Sequence, residues 1–182
     1  IGALPPILAE LGAVLPGVGI VLSAFTDTGL DAARRLVGEE RSFALPADRR
    51  VPLRRALDRL RPDALLLLET ELWPGLLREA LARGVRVGVV NGRLSAASVA
   101  RYRALGPLLA SSLRRLGGVA AQSPADALRF AAVGVPGEVV AVTGSSKFDA
   151  QPWAEPAPPP APLAGRPVLV AGSTRPGDEA LV

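Results

Sequence analysis

The chain has 182 residues, 49% of them hydrophobic, with 21 basic against 17 acidic side chains and a net charge of +4; this is enough to bury a real core and excludes a disordered chain. No apolar run reaches the roughly 18 residues of a membrane-spanning helix and no secretory leader is expected, while the absence of cysteine and histidine rules out disulfides, thiolate metal sites and imidazole acid–base chemistry. Proton transfer must then fall to carboxylates, lysine, arginine or tyrosine, the basic excess is too small and scattered for a nucleic-acid stripe, and a cytoplasmic location is the default expectation.

In chain order, residues 2–15 read as an amphipathic helix that begins near Pro5 and Pro6, because proline is tolerated in a first turn but not in a helix interior. Residues 20–25 have the apolar run of a short strand, and TDTG at 26–29 is a turn suited to capping a helix over 30–37. A weaker strand at 42–45 leads to a helix near 52–60. Next comes a strand over 64–68, whose four leucines suit burial on both faces, then a helix over 75–83 and a strand over 85–90. Residues 96–116 have helical period, but Gly106 and Pro107 should break them. A short strand follows at 118–121. SPAD at 123–126 combines a serine cap, a proline at the first helical position and an acid in the first turn, which opens a helix to about Val133; a last strand covers 139–142. Strands alternating with helices of about ten residues imply right-handed crossovers and an α/β fold: one Rossmann-like parallel sheet with helices on both faces, spanning residues 1–149.

The texture changes after that. QPWAEPAPPPAPLAGRP, at 151–167, holds seven of the chain's 18 prolines, so residues 150–166 read as a semi-rigid linker. PVLVAGS then starts a new buried strand and TRPGDEALV a helix, over residues 167–182. A lone strand and one helical turn cannot bury their own apolar faces, so the expectation is a second α/β domain cut short. The front end, without an initiator methionine and opening on a helix, suggests truncation there too.

In open parallel sheets, ligands sit beyond the carboxyl ends of the strands, and polar residues gather on those ends here. They are Thr26 and Thr28; Glu69 and Glu71 of ETELWPG; Asn91, Arg93 and Ser95 of NGRLS; Gln122 and Ser123; and Ser145, Ser146 and Lys147 of TGSSKFD. Two carboxylates at the tip of a leucine strand are tolerable only where the strand opens into a cleft offering water, cations or amide donors. Bland roles remain open. Glu69 suits a loop acid bonded to the backbone, Glu71 an acid favouring the next helix's N-terminus, Trp73 packing, and Arg93 a partner for either glutamate. Lys147 is the sole lysine among many arginines, which suggests a compact charge that arginine's planar fork cannot replace.

ETELWPG, NGRLS and TGSSKFD, with TDTG, LPAD, AAQSPADALRF and AGSTRPGDE in order around them, resemble the 3-deoxy-D-manno-octulosonic acid (Kdo) transferases of lipopolysaccharide synthesis over nearly the whole chain. The resemblance implies a two-domain GT-B glycosyltransferase fold and inverting transfer of Kdo from the donor CMP-Kdo to a lipid A precursor. It implies that the N-terminal domain mainly binds the acceptor and the C-terminal domain mainly the nucleotide sugar. Glu69 and Lys147 match the family's transition-state-stabilising glutamate and lysine. Glu71, Asn91, Arg93, Ser95, Ser145, Ser173 and Thr174 are the substrate-binding candidates, and no metal or further cofactor is expected. The family's catalytic base, a glutamate in a Gly-Glu pair, would fall immediately before Ile1. Work on a lipid implies an anionic membrane surface as a partner, at the cytoplasmic face of the bacterial inner membrane, with peripheral attachment or an anchor upstream of Ile1. Ala97, where the family usually has a basic residue, Ser146, where it has an apolar one, and Arg175, where it has histidine, depart from the pattern. Two other readings stand beside this one: a different GT-B enzyme such as a nucleotide-sugar epimerase, and a non-catalytic two-domain protein that captures a small anion.

Overall fold

In the computed structural model, residues 3–149 are described. Helix α1 (Leu4–Val14) leads to strand β1 (Leu22–Ala24), helix α2 (Asp27–Val37), strand β2 (Ser42–Ala44) and helix α3 (Arg50–Leu60). Then follow β3 (Ala64–Leu68), α4 (Pro74–Ala82), β4 (Arg86–Gly92), α5 (Ala96–Ala104), α6 (Gly106–Leu113), β5 (Gly118–Ala121), α7 (Pro124–Ala132) and β6 (Val140–Val142), with a final 3-10 turn at Ser146–Phe148.

Local chemistry accounts for most of these boundaries. The hydroxyls of Thr26, Ser95 and Ser123 accept the amides of Gly29, Ser98 and Asp126 and so cap α2, α5 and α7. Prolines stand in the first turns of α1, α4, α6 and α7, where no amide hydrogen is needed. The expected break between α5 and α6 falls at Gly106, whose φ of 71° suits a residue without a side chain.

All strand pairs are parallel, but they divide into two sheets, β1-β2 and β3-β4-β5-β6. The expected single sheet is thereby corrected. β1 and β2 pair only with each other, Leu22–Ala24 against Ser42–Ala44, and neither bonds to β3. β3 is consequently an edge strand, and the expectation that its leucines are buried on both faces fails as well: Leu67 is 5% exposed but Leu66 is 46% exposed. The face carrying Leu67, Val87, Val89, Val119 and Ala121 is the buried one. It shares a core with side chains from α3 to α7, with Leu53, Leu77, Leu113 and Phe130 almost fully enclosed, each contributing about 1.5–3 kcal/mol of burial.

Two acids fasten helices together across long sequence separations. Asp48, in the LPAD stretch, accepts the amides of Gly75 (2.9 Å) and Leu76 (2.7 Å) at the start of α4. That approach explains the glycine of WPG, since a Cβ on Gly75 would lie 2.5 Å from Asp48 Oδ1. Glu79 of α4, 6% exposed, bonds Arg83 at 3.0 Å and lies 3.6 and 3.9 Å from Arg50 and Arg54 of α3. The Arg83 hydrogen bond, aided by the charges of Arg50 and Arg54, outweighs burial and holds the Glu79 carboxyl below its ordinary range. Residues 150–166 and 167–182, read above as linker and second domain, lie outside the described residues.

Candidate active site

The carboxyl ends of β3 and β4 place two unusual residues side by side. Leu68 and Val90 are the last positions at which the two strands pair with each other; the residues that follow, Glu69 and Asn91, the latter at the irregularity where β4 shifts register against β5, have φ of 58° and 53°. Left-handed backbone at residues with a β-carbon is strained and concentrates at functional sites. The Glu69 amide still donates to Val90 O at 3.0 Å, so the reversal happens without losing the ladder.

From this strained position Glu69 Oε1 meets Lys147 Nζ at 2.8 Å. That oxygen is enclosed and has the lysine ammonium as its charged partner. The Glu69 side chain is 26% exposed and that of Lys147 48%; the pair therefore sits at the mouth of the strand ends, not in the core. Asn91, at 4% exposure, is buried; its Oδ1 accepts the Ser146 amide at 3.2 Å and its carbonyl accepts Gln122 Nε2 at 2.9 Å. Ser146 Oγ donates in turn to Ala3 O at 3.1 Å.

The structure brings Glu69, Asn91 and Lys147 together and sorts the other candidates around them. Glu71 Oε2 accepts the indole N–H of Trp73 at 2.6 Å, and Trp73 packs on Phe25 with ring centroids 5.3 Å apart. Ser95 Oγ is engaged in capping α5. Arg93 is exposed, pairs with neither glutamate, and borders an open pocket of about 380 Å³ together with Thr70, Ser95, Ser98, Asp126 and Arg129. Ser145 is half-buried at the start of the lysine turn. Ser173 and Thr174 lie outside the described residues. Among the described residues, no cluster of three or more acids is placed to hold a metal ion.

Two supporting residues were not singled out from sequence. Tyr102, on α5, donates its hydroxyl to Thr70 O at 2.9 Å and so holds the ETE loop; burial, against the opposing charge of Arg101, raises its pKa. Asp126 reaches beyond its own helix to accept the Leu94 amide at 3.0 Å, with Ser123 Oγ at 2.5 Å and Arg129 Nη1 at 3.4 Å. Burial alone would raise its pKa, but the Ser123 hydroxyl, the Leu94 amide and Arg129 outweigh that and keep it ionised below the usual range. The cap was legible in SPAD; the tie to Leu94 was not, because nothing in sequence links positions 32 residues apart.

This parallel α/β unit, with polar side chains converging past the strand ends, has the fold of a GT-B-like N-terminal domain. UDP-GlcNAc 2-epimerase from Neisseria meningitidis, solved bound to UDP-GlcNAc, resembles it with a TM-score of 0.57 over 82% of this chain and 44% of that one; at 16% identity the likeness concerns the fold alone. A family model described as 3-deoxy-D-manno-octulosonic-acid transferase (kdotransferase) matches residues 1–150. The chain belongs to that family. It is 37% identical over 181 residues to the 3-deoxy-D-manno-octulosonic acid transferase of Bordetella pertussis and 30% over 148 residues to that of Haemophilus influenzae, covering 91% and 81% of this chain. It is also 32% identical over 179 residues to a bifunctional glycosyltransferase/methyltransferase of Fusobacterium nucleatum, covering 90% of this chain. The chain spans 40%, 35% and 27% of the lengths of these three proteins.

Proposed function

We propose that this chain is the acceptor-side part of an enzyme that transfers Kdo from CMP-Kdo to a lipid A precursor, with inversion at the transferred carbon. The observation that carries this reading is the 2.8 Å Glu69–Lys147 pair at the convergent strand ends of a chain whose family is a Kdo transferase family. In the reaction, an acceptor hydroxyl oxygen bonds to the anomeric carbon as the bond to the CMP phosphate breaks. The proton of that hydroxyl passes to a carboxylate base, which this reading puts upstream of Ile1. Lys147 offsets the negative charge of the donor carboxylate or the departing phosphate, and Glu69 holds the lysine in place and balances positive charge developing on the sugar. Arg93 and Arg129, on the adjoining pocket, are suited to anionic groups of the acceptor.

Support for a membrane-surface partner is chemical: the acceptor is a lipid, and α3 with its flanks exposes a run of arginines that includes Arg50, Arg54, Arg55 and Arg59. No helix among the described residues is long and apolar enough to cross a membrane. The deciding experiment is turnover by the full-length transferase carrying Glu69→Gln or Lys147→Ala, assayed with CMP-Kdo and a lipid A precursor. Loss of turnover with the fold retained is expected; normal turnover in both variants refutes the assignment.

A further inference from the structure

Two residues with left-handed backbone, one just after β3 and one near the end of β4, grip consecutive residues of one turn. Glu69 and Asn91 stand in matching positions after the last residues paired between β3 and β4, both in left-handed backbone, Asn91 at the register shift of β4 against β5. Glu69 holds the ammonium of Lys147, and Asn91 holds the amide of Ser146 next to it. Because the Ser146 N–H is a donor, the oxygen of the Asn91 amide must face it. Its Nδ2 is consequently left buried without a partner. At 4% exposure the side chain has little surface for the substrate binding that the sequence suggests for Asn91. What it touches is the backbone that carries the lysine.

Lysine is a flexible point charge on a four-carbon stem, and here it is half-exposed. Without a fixed backbone it would sample many positions instead of one. The turn at Ser146–Phe148 is only three residues long and follows a short edge strand, so it depends on ties to other elements, one of them from Ser146 Oγ to Ala3 O. Asn91 Oδ1 supplies one to β4, and Gln122, by donating to the Asn91 carbonyl, steadies Asn91 from beyond β5.

We infer that Asn91 is a positioning residue: its side-chain oxygen clamps the Ser146 amide to the end of β4 and thereby seats Lys147 on Glu69. The clamp follows from geometry alone, whereas its consequence for catalysis rests on the transferase reading above. Asn91→Gly accepts the left-handed backbone and removes the clamp; Asn91→Asp keeps an acceptor oxygen in the same place.

Amide hydrogen exchange followed by NMR on the 182-residue chain tests the clamp directly. Asn91→Gly should speed exchange at Ser146 by about tenfold or more, while the amides of Val87 and Val89 exchange as before; Asn91→Asp should restore most of the protection. In the full-length transferase, Asn91→Gly should lower kcat by about tenfold with KM nearly unchanged, and combining it with Lys147→Ala should be no worse than Lys147→Ala alone. Unchanged Ser146 exchange in Asn91→Gly, or fully additive losses in the double variant, overturns the inference. If Asn91→Gly disturbs the whole sheet, Ser146→Pro removes the same donor from the other side; it should lose more turnover than Ser146→Ala, which keeps the amide, and equal effects count against the clamp. If Lys147→Ala turns over normally, the catalytic role of Lys147 fails, and the exchange result still decides the clamp.

Discussion

Glu69 and Lys147 illustrate how a residue-scale contact converts a sequence suspicion into a chemical arrangement. Each is more than a fifth exposed and each has the other as its charged partner, so removing either leaves a charge at the exposed strand ends rather than a hole in the core. Glu69→Gln and Lys147→Ala should each lower kcat of the full-length transferase by about a hundredfold or more, the usual loss of roughly 3 kcal/mol for one transition-state electrostatic partner, with melting temperatures little changed. Lys147→Arg should also lose most turnover, since a planar fork cannot sit where a point charge did. Glu71→Gln keeps an oxygen for the Trp73 indole and should retain most of the rate. Asp126 gives a pH test on stability. Its pKa is depressed in the fold, so its contribution is present above the unfolded value of about 3.9 and is lost as pH falls through the folded value. Urea midpoints measured from pH 6 down to about pH 3 should fall more steeply for the native chain than for Asp126→Asn.

At the scale of elements, the strand ends are held by helices whose own ends are tied elsewhere. Asp48 supplies two bonds to the N-terminus of α4 from a loop 27 residues away, and α4 in turn follows directly on the ETE loop. Asp48→Ala should destabilise the chain by about 1–2 kcal/mol, the range for a lost helix cap, read as a shift in urea midpoint at constant slope. Gly75→Ala should be worse than an ordinary glycine-to-alanine change in a helix, which is normally favourable. The added methyl would meet the Asp48 carboxylate at 2.5 Å, and displacing that carboxylate forfeits the cap. Combining the two substitutions should therefore cost less than the sum of the single effects.

For the whole molecule, the net charge of +4 and the arginines of α3 make attraction to anionic bilayers an expectation that vesicle co-sedimentation can check. The 182-residue chain should bind vesicles containing phosphatidylglycerol more strongly than neutral ones, and the difference should shrink as salt rises from about 0.05 to 0.5 M. Equal partition onto both would count against an electrostatic contribution. The same chain supplied with CMP-Kdo and acceptor should show no turnover, since it spans only 40% and 35% of the lengths of the two transferases it resembles.

Which parts of this molecule were legible in advance follows from the range of the forces involved. Caps at Thr26 and Ser123, the break at Gly106 and the strand Ala64–Leu68 were readable because each depends on residues within a turn or two of one another. So was the gathering of polar residues at strand ends, which alternation of strands and helices dictates for parallel pairing. The division into two sheets, the exposure of Leu66, and the ties from Asp48 to α4, Tyr102 to Thr70 and Asn91 to Ser146 were not readable, because no local pattern records which distant partners satisfy a given polar group. The sequence by itself determined the helices, the strands and the chemical kinds present at their ends. Only the tertiary structure decided that Glu69 faces Lys147 and Glu71 does not: left-handed backbone at Glu69 turns one carboxylate toward the lysine turn, while the other is taken by Trp73, and that choice depends on packing across the whole sheet rather than on neighbours in the chain.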